Sequence, residues 1–203
     1  MDTNNKSLQI FSDSSLTVAQ TKALTNYLPE NFLPKVKAIT TVKQALEQST
    51  SSLAKIKKNV GTVRTEALIK IYLVRLNEIL DLKKPLSEDG INEIANILLT
   101  EYYNLSMTDV VFVLQQAIKG KYGEMFESLN IPKVIKWFET YFNERCNTAE
   151  QMSNDERNNY NSFFGRERSS EQVNEQKEFS KQYTIKKIME NYKSKIMENY
   201  KSK

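Results

Sequence analysis

Between Pro34 and Phe142, apolar residues recur every three or four positions through most of the chain. That spacing lines one face of an α-helix and predicts a helical protein. Pro29 and Pro34 bracket Glu30–Leu33 and are expected to break any helix running through them. After Pro34, the series Val36, Ile39, Val42, Leu46 predicts one helix, which Ser49-Thr50-Ser51-Ser52 interrupts or recaps. Gly61 followed by Thr62 reads as the end of one helix and the start of the next. From there Ala67, Leu68, Ile71, Tyr72, Val74, Leu76, Ile79 and Leu80 predict a long helix buried on much of its circumference. Lys83-Lys84-Pro85 is expected to end it, with cations at the pole the helix dipole favours.

Ser87, followed by Glu88 and Asp89, reads as a cap and an acidic first turn. Ile91, Ile94, Ala95, Leu98 and Leu99 form the face of that helix. A short turn, Asn104-Leu105-Ser106, leads to a capping-box variant between Ser106 and Asp109. The β-branched run around Val110, Val111 and Val113 leaves a strand open, but Gln115-Gln116-Ala117 continues the helical spacing. Gly120-Lys121-Tyr122-Gly123 is the most distinctive break in the chain. Met125, Phe126 and Leu129 follow on a short turn or helix. Pro132 suits a first helical turn, and Val134, Ile135, Trp137, Phe138, Tyr141 and Phe142 predict an aromatic-rich helix running toward Cys146.

The expected fold is all-α, a compact multi-helix bundle over 16–148 with a polar, partly helical C-terminal tail. Residues 1–15 read as a flexible arm, and 149–203 as a polar linker and a C-terminal helix. That tail contains a repeated octamer, IMENYKSK, at Ile188–Lys195 and again at Ile196–Lys203. A period of eight matches no supercoil repeat, and two short copies make no solenoid; a tandem duplication accounts for the identity. Five Gly and four Pro in 203 residues are too few for the turns of a β-sandwich or barrel.

Composition narrows the chemistry. There is no His, which removes the commonest general base and metal ligand and with them Ser-His-Asp, Cys-His and zinc chemistry. The one Cys, Cys146, makes no internal disulfide, in keeping with a reducing compartment. The N-terminus lacks the basic and apolar regions of a secretory signal, and no stretch reaches the roughly 18 apolar residues of a membrane span. A cytoplasmic protein without membrane contact is expected. Glu88-Asp89 is a cap, Glu139 and Glu144 face different ways, and no carboxylates show metal-loop spacing. The reading is of a protein that is not an enzyme, with no cofactor, no catalytic residue and no metal site. Carboxylate–Mg²⁺ chemistry is left standing, since it needs no His.

Charge supplies the strongest functional cue. From Asn31 to Arg75 nine Lys+Arg face two Asp+Glu, Glu47 and Glu66, whereas the whole chain is only +4. Lys55, Lys57, Lys58, Arg64 and Lys70 are the candidate nucleic-acid contacts, because lysines on phosphates release counterions and bind without sequence preference. The competing reading is a solvated helix face balanced by the acidic remainder. The Gly120–Gly123 element lacks the spacing and the Ser/Thr of a phosphate loop and reads as a helix C-terminus. Ile91–Tyr103 and Met107–Lys119 have helix–turn–helix lengths. The second helix, however, starts apolar and acidic, so a buried αα-hairpin is favoured over a recognition helix. Trp137, Phe138, Tyr141 and Phe142 offer a base-stacking platform, but helical spacing favours the core for Trp137, Phe138 and Tyr141.

Several of these features together resemble a known group of proteins. The long Ala67–Leu82 helix, Ile94-Ala95 with Tyr102-Tyr103, Gly120–Gly123, Ile135-Lys136-Trp137, and Tyr141 with Glu144-Arg145 carry the resemblance. Over about 61–150 the chain resembles a family of small helical proteins, without established activity, from Bacteroidetes phages and mobile elements. The layout is similar to phage helicase loaders and replisome organisers. That fold-level likeness, taken with the basic part and the tail that lie outside the resemblance, leads to the expectation of a DNA-replication adaptor in the cytoplasm of a bacterial host. DNA would lie on the basic surface, and a partner such as a replicative helicase would sit on the Lys119–Tyr122 turn or the tail. Lys119, Lys121, Tyr122, Tyr192 and Tyr200 are the candidate partner contacts, and the repeated tail suits a homo-oligomer. The alternative is a structural or interaction protein, a virion component or host-factor inhibitor, with no direct DNA contact.

Overall fold

Side-chain caps fix where most helices begin. A computed structural model describes residues 16–123 and 128–167, with side chains as far as Tyr160. Thr17 and Gln20 form a reciprocal capping box that opens α1, Val18–Asn26. Pro29 takes the first position of α2, Pro29–Lys37, where its missing N–H costs nothing. A second capping box, Thr41 with Gln44, opens α3, Val42–Glu47. Ser52 caps α4, Leu53–Val60. Gly61, at φ +90°, ends α4 and starts α5, Thr62–Leu80, in backbone space that only glycine enters freely. Ser87 caps α6, Glu88–Thr100, and the Ser106–Asp109 box opens α7, Met107–Ile118. The last described helix, α8, spans Ile131–Glu167. Among the described residues there are eight helices and no strand, so the all-α expectation holds. No helix among them is long and apolar enough to cross a membrane.

Local differences from the expected elements have physical causes. α2 runs through Pro34, because the loss of one hydrogen bond is tolerated where Phe32 and Val36 are buried. The series Val36, Ile39, Val42, Leu46 spans two helices, since Thr40 and Thr41 both bind the Gln44 amide and reset the chain before Val42. α5 ends earlier than expected, at Asp81, which adopts the left-handed conformation at φ 44°. The Asn77 amide then pairs with both backbone groups of Leu86 (2.9 and 3.0 Å), holding the 81–86 connection against α5. The polar stretch after Thr148 continues α8 to Glu167, because extending a helix that is already nucleated gains one hydrogen bond per residue. The arm at 1–15, Met125 and Phe126, and the repeated octamers lie outside the described residues.

The chain divides into two compact units, 1–150 and 151–203. In the second, residues 151–160 are helical and exposed apart from the half-buried Met152. In the first, α7 is the central element. Its residues from Met107 through Leu114 are buried without interruption, which explains its β-branched, all-round apolar sequence. α2, α3 and α5 pack against it, while α6 packs mainly on α5. The expected α6–α7 hairpin is therefore two helices that share α5 as their main support. Long-range hydrogen bonds tie loops to this core. Tyr72 donates its hydroxyl to the Tyr27 carbonyl (2.6 Å), and Thr108 reaches the Gln48 carbonyl (3.3 Å).

Candidate functional sites

The basic candidates separate in the structure. On α4, Leu53, Ile56 and Val60 are buried, so Lys55 and Lys58, one turn apart, project from the opposite side into solvent. Lys57 lies at the flank and is half-buried. Among the described residues no hydrogen bond or ion pair engages the side chains of these three lysines. Lys57 and Lys58 also occupy the last turn of α4, where cations offset the carbonyl pole.

Lys70 does not join them. It pairs with Glu66 one turn away on α5, which cancels most of its charge toward a distant phosphate. Arg64 turns back to the Val60 carbonyl (3.3 Å), helping to close the end of α4. Six residues separate Arg64 from Lys70, which puts them about 120° apart around α5 rather than on one stripe. The cluster of five predicted from sequence is thus reduced to a pair of free ammonium groups with a third beside them. Lys35 and Lys37 on α2 and Lys43 on α3 are exposed as well. The segment 76–150, by contrast, holds seven Lys+Arg against twelve Asp+Glu.

A second site lies where α7 meets α8 and was only half visible in the sequence. Asp109 closes the capping box by accepting from the Ser106 amide and hydroxyl, both at 2.8 Å on Oδ2. Its other oxygen, Oδ1, accepts from the Tyr141 hydroxyl and from Arg145 Nε at 3.3 Å. The carboxylate is fully buried, and the charge is affordable there because four donors, one of them the Arg145 guanidinium, replace its water. Burial, then the charge of Asp109 and the hydrogen bond to it, hold the Tyr141 hydroxyl far above the usual phenol range. Asp109 and Tyr141 both have no exposed surface, so no external group reaches either one. The cluster pins α8 to the start of α7.

Of the partner candidates, Lys121 and Tyr122 meet α8 beside this cluster. Lys119 is the exposed C-cap of α7. Gly120, at φ +81°, follows it, with its amide on the Ala117 carbonyl (2.9 Å) and the Lys121 amide on that of Gln116 (3.0 Å). This is the paired closure of a Schellman motif, so the two-glycine element is a helix C-terminus. Lys121 Nζ bridges to Glu144 of α8 at 2.8 Å, and Tyr122 stacks on Trp137 with ring planes 16° apart. Tyr192 and Tyr200 lie outside the described residues. Trp137, Phe138 and Tyr141 are buried in the core, so they form no exposed stacking platform.

Sequence reasoning passed over Glu144 and Arg145 as site residues. A signal existed: Val134, Trp137, Phe138 and Tyr141 make a buried stripe on α8, and Arg145 continues it by one turn. A cation ending a buried stripe calls for an anion on the facing helix. No group of three metal-ligating side chains comes together among the described residues. Comparison with protein-family models, with curated proteins and with solved structures found no match.

Proposed function

We propose that the chain is a non-enzymatic adaptor of DNA replication, of helicase-loader or replisome-organiser type, from a phage or mobile element. Its basic helix α4 contacts the nucleic acid backbone, and the Lys119–Tyr122 turn contacts a partner such as a replicative helicase in the host cytoplasm. The observation that carries this reading is the pair Lys55 and Lys58, one turn apart, solvent-facing and without side-chain partners. Cations left unpaired in this way are available to phosphates, whereas the Glu66-bound Lys70 is not. The binding would be weak, salt-dependent and indifferent to sequence, as suits a protein that is positioned by its protein partner.

A second reading rests on a different observation. Ile79 and Ile118, 45% and 38% exposed, flank a shallow groove with Leu33, Leu76 and Arg75. Apolar side chains rimmed by polar ones suit protein contact, as in a structural or inhibitory protein that never touches DNA. Affinity capture from host lysate, with and without nuclease, separates the two. Recovery of a replicative helicase that survives nuclease treatment supports the adaptor. Recovery of virion components alone, together with no affinity for DNA at low salt, overturns it in favour of the second reading.

A further inference from the structure

Gly120 and Gly123 are the two ends of a four-residue turn, and both adopt positive φ, +81° and +95°. A Cβ at either glycine would meet nothing within 4 Å, so neither is kept small by close packing. What they provide is backbone freedom on both sides of Lys121 and Tyr122. Tyr122 lies over Trp137 at a centroid distance of 5.9 Å, and Trp137 beneath it is only 3% exposed.

Two features oppose each other in this closed arrangement. The Tyr122 hydroxyl is buried with no hydrogen-bond partner among the described residues, which penalises closure because an unmade bond is costly out of water. The Lys121–Glu144 bridge favours closure, but both side chains are more than a third exposed, so salt weakens the bridge. Opening the turn gives up the Lys121 amide bond to the Gln116 carbonyl, but the cluster beneath it does not rely on the turn. Asp109, Tyr141 and Arg145 complete their own bonds without Lys121 or Tyr122.

We propose that Lys121-Tyr122 is a lid, hinged at Gly120 and Gly123 and latched by Glu144, that opens to uncover Trp137 while the rest of the unit stays folded. The lid makes the partner-facing turn a two-state element. An acidic partner surface competing with Glu144 for Lys121 would release it. The proposal goes beyond the adaptor reading and does not depend on DNA contact.

The chain's one tryptophan is the reporter. Acrylamide quenching of Trp137 fluorescence in the full chain measures how often the lid is open, and far-UV circular dichroism checks that the fold is kept. Glu144→Gln removes the latch and is expected to raise the quenching constant about two- to threefold, the effect of losing one exposed ion pair. High salt should do the same to the wild type and add little to the variant. Tyr122→Phe keeps the ring and removes the stranded hydroxyl, so it should lower quenching. Opposite shifts in the two variants support the lid. Equal quenching in wild type and both variants, or protection that rises in Glu144→Gln, overturns it.

Discussion

Asp109→Ala combined with Tyr141→Phe tests whether the buried carboxylate holds α7 and α8 together as one coupled unit. Alanine at 109 removes the only acceptor among the described residues for the Tyr141 hydroxyl and for Arg145 Nε, and also the partner of the Ser106 amide. Breaking a buried charged group away from its partners costs about 3–5 kcal/mol. The lower part of that range applies, because Arg145 keeps 20% side-chain exposure and turns partly to water. Phenylalanine at 141 leaves the packing against Phe112 intact and removes one donor of four, about 1.5–3 kcal/mol for a bond to a charged group. The double variant should be no less stable than Asp109→Ala alone, since the phenol it removes is already stranded. The coupling energy is then about 1.5–3 kcal/mol. Urea unfolding of the four proteins, followed by Trp137 fluorescence and circular dichroism, gives the cycle. Effects that add to within about 0.5 kcal/mol would refute the reasoning, because additivity is the behaviour of independent sites.

Two further perturbations follow from the same packing. Tyr72, Tyr122 and Tyr141 all have hydroxyls pushed well above the usual phenol range, in each case mainly by burial. A raised folded-state pKa means that stability is intact below the unfolded value, about 10, and is lost as pH rises above it. The slope with all three in play approaches ~4 kcal/mol per pH unit. Tyrosinate absorbance should therefore show three tyrosines ionising only together with the loss of helical signal, and a smooth titration of all ten before unfolding would contradict this. Gly61→Ala should cost about 1–3 kcal/mol from backbone strain alone, because the added Cβ meets nothing within 4 Å; an unchanged urea midpoint would show that the α4–α5 junction relaxes.

Much of the fold was legible because caps and periodicity are local. Ser87, Ser106 and Gly61 mark helix ends where the side chain or the missing Cβ acts on its own backbone. Helix continuity was less legible. Val36, Ile39 and Val42 are all buried at helical spacing, yet the chain breaks between Lys37 and Val42, because spacing reports a shared face and not an unbroken backbone. Met107–Leu114 shows no amphipathic period because it is buried on every side, with Thr108 and Asp109 meeting polar partners inside the protein. For the sites, the sequence disclosed charge but not pairing. Glu66 stands one helical turn before Lys70, a spacing that already favours an ion pair, and the structure forms it. Asp109 was legible as a cap, but its burial and its link to Arg145 depend on α8 crossing α7, which no local pattern encodes.

The central claim is that α4 presents free cations to nucleic acid. Fluorescence anisotropy of a labelled DNA duplex with the full chain, repeated across a range of salt concentrations, tests it most directly. Lys55→Ala with Lys58→Ala should weaken binding at low salt and reduce the slope of log affinity against log salt by about 2, one for each lost phosphate contact. Lys70→Ala, already neutralised by Glu66, should leave both almost unchanged. Equal affinity and slope in wild type and the Lys55/Lys58 variant would contradict the account and leave α4 as a solvated helix face.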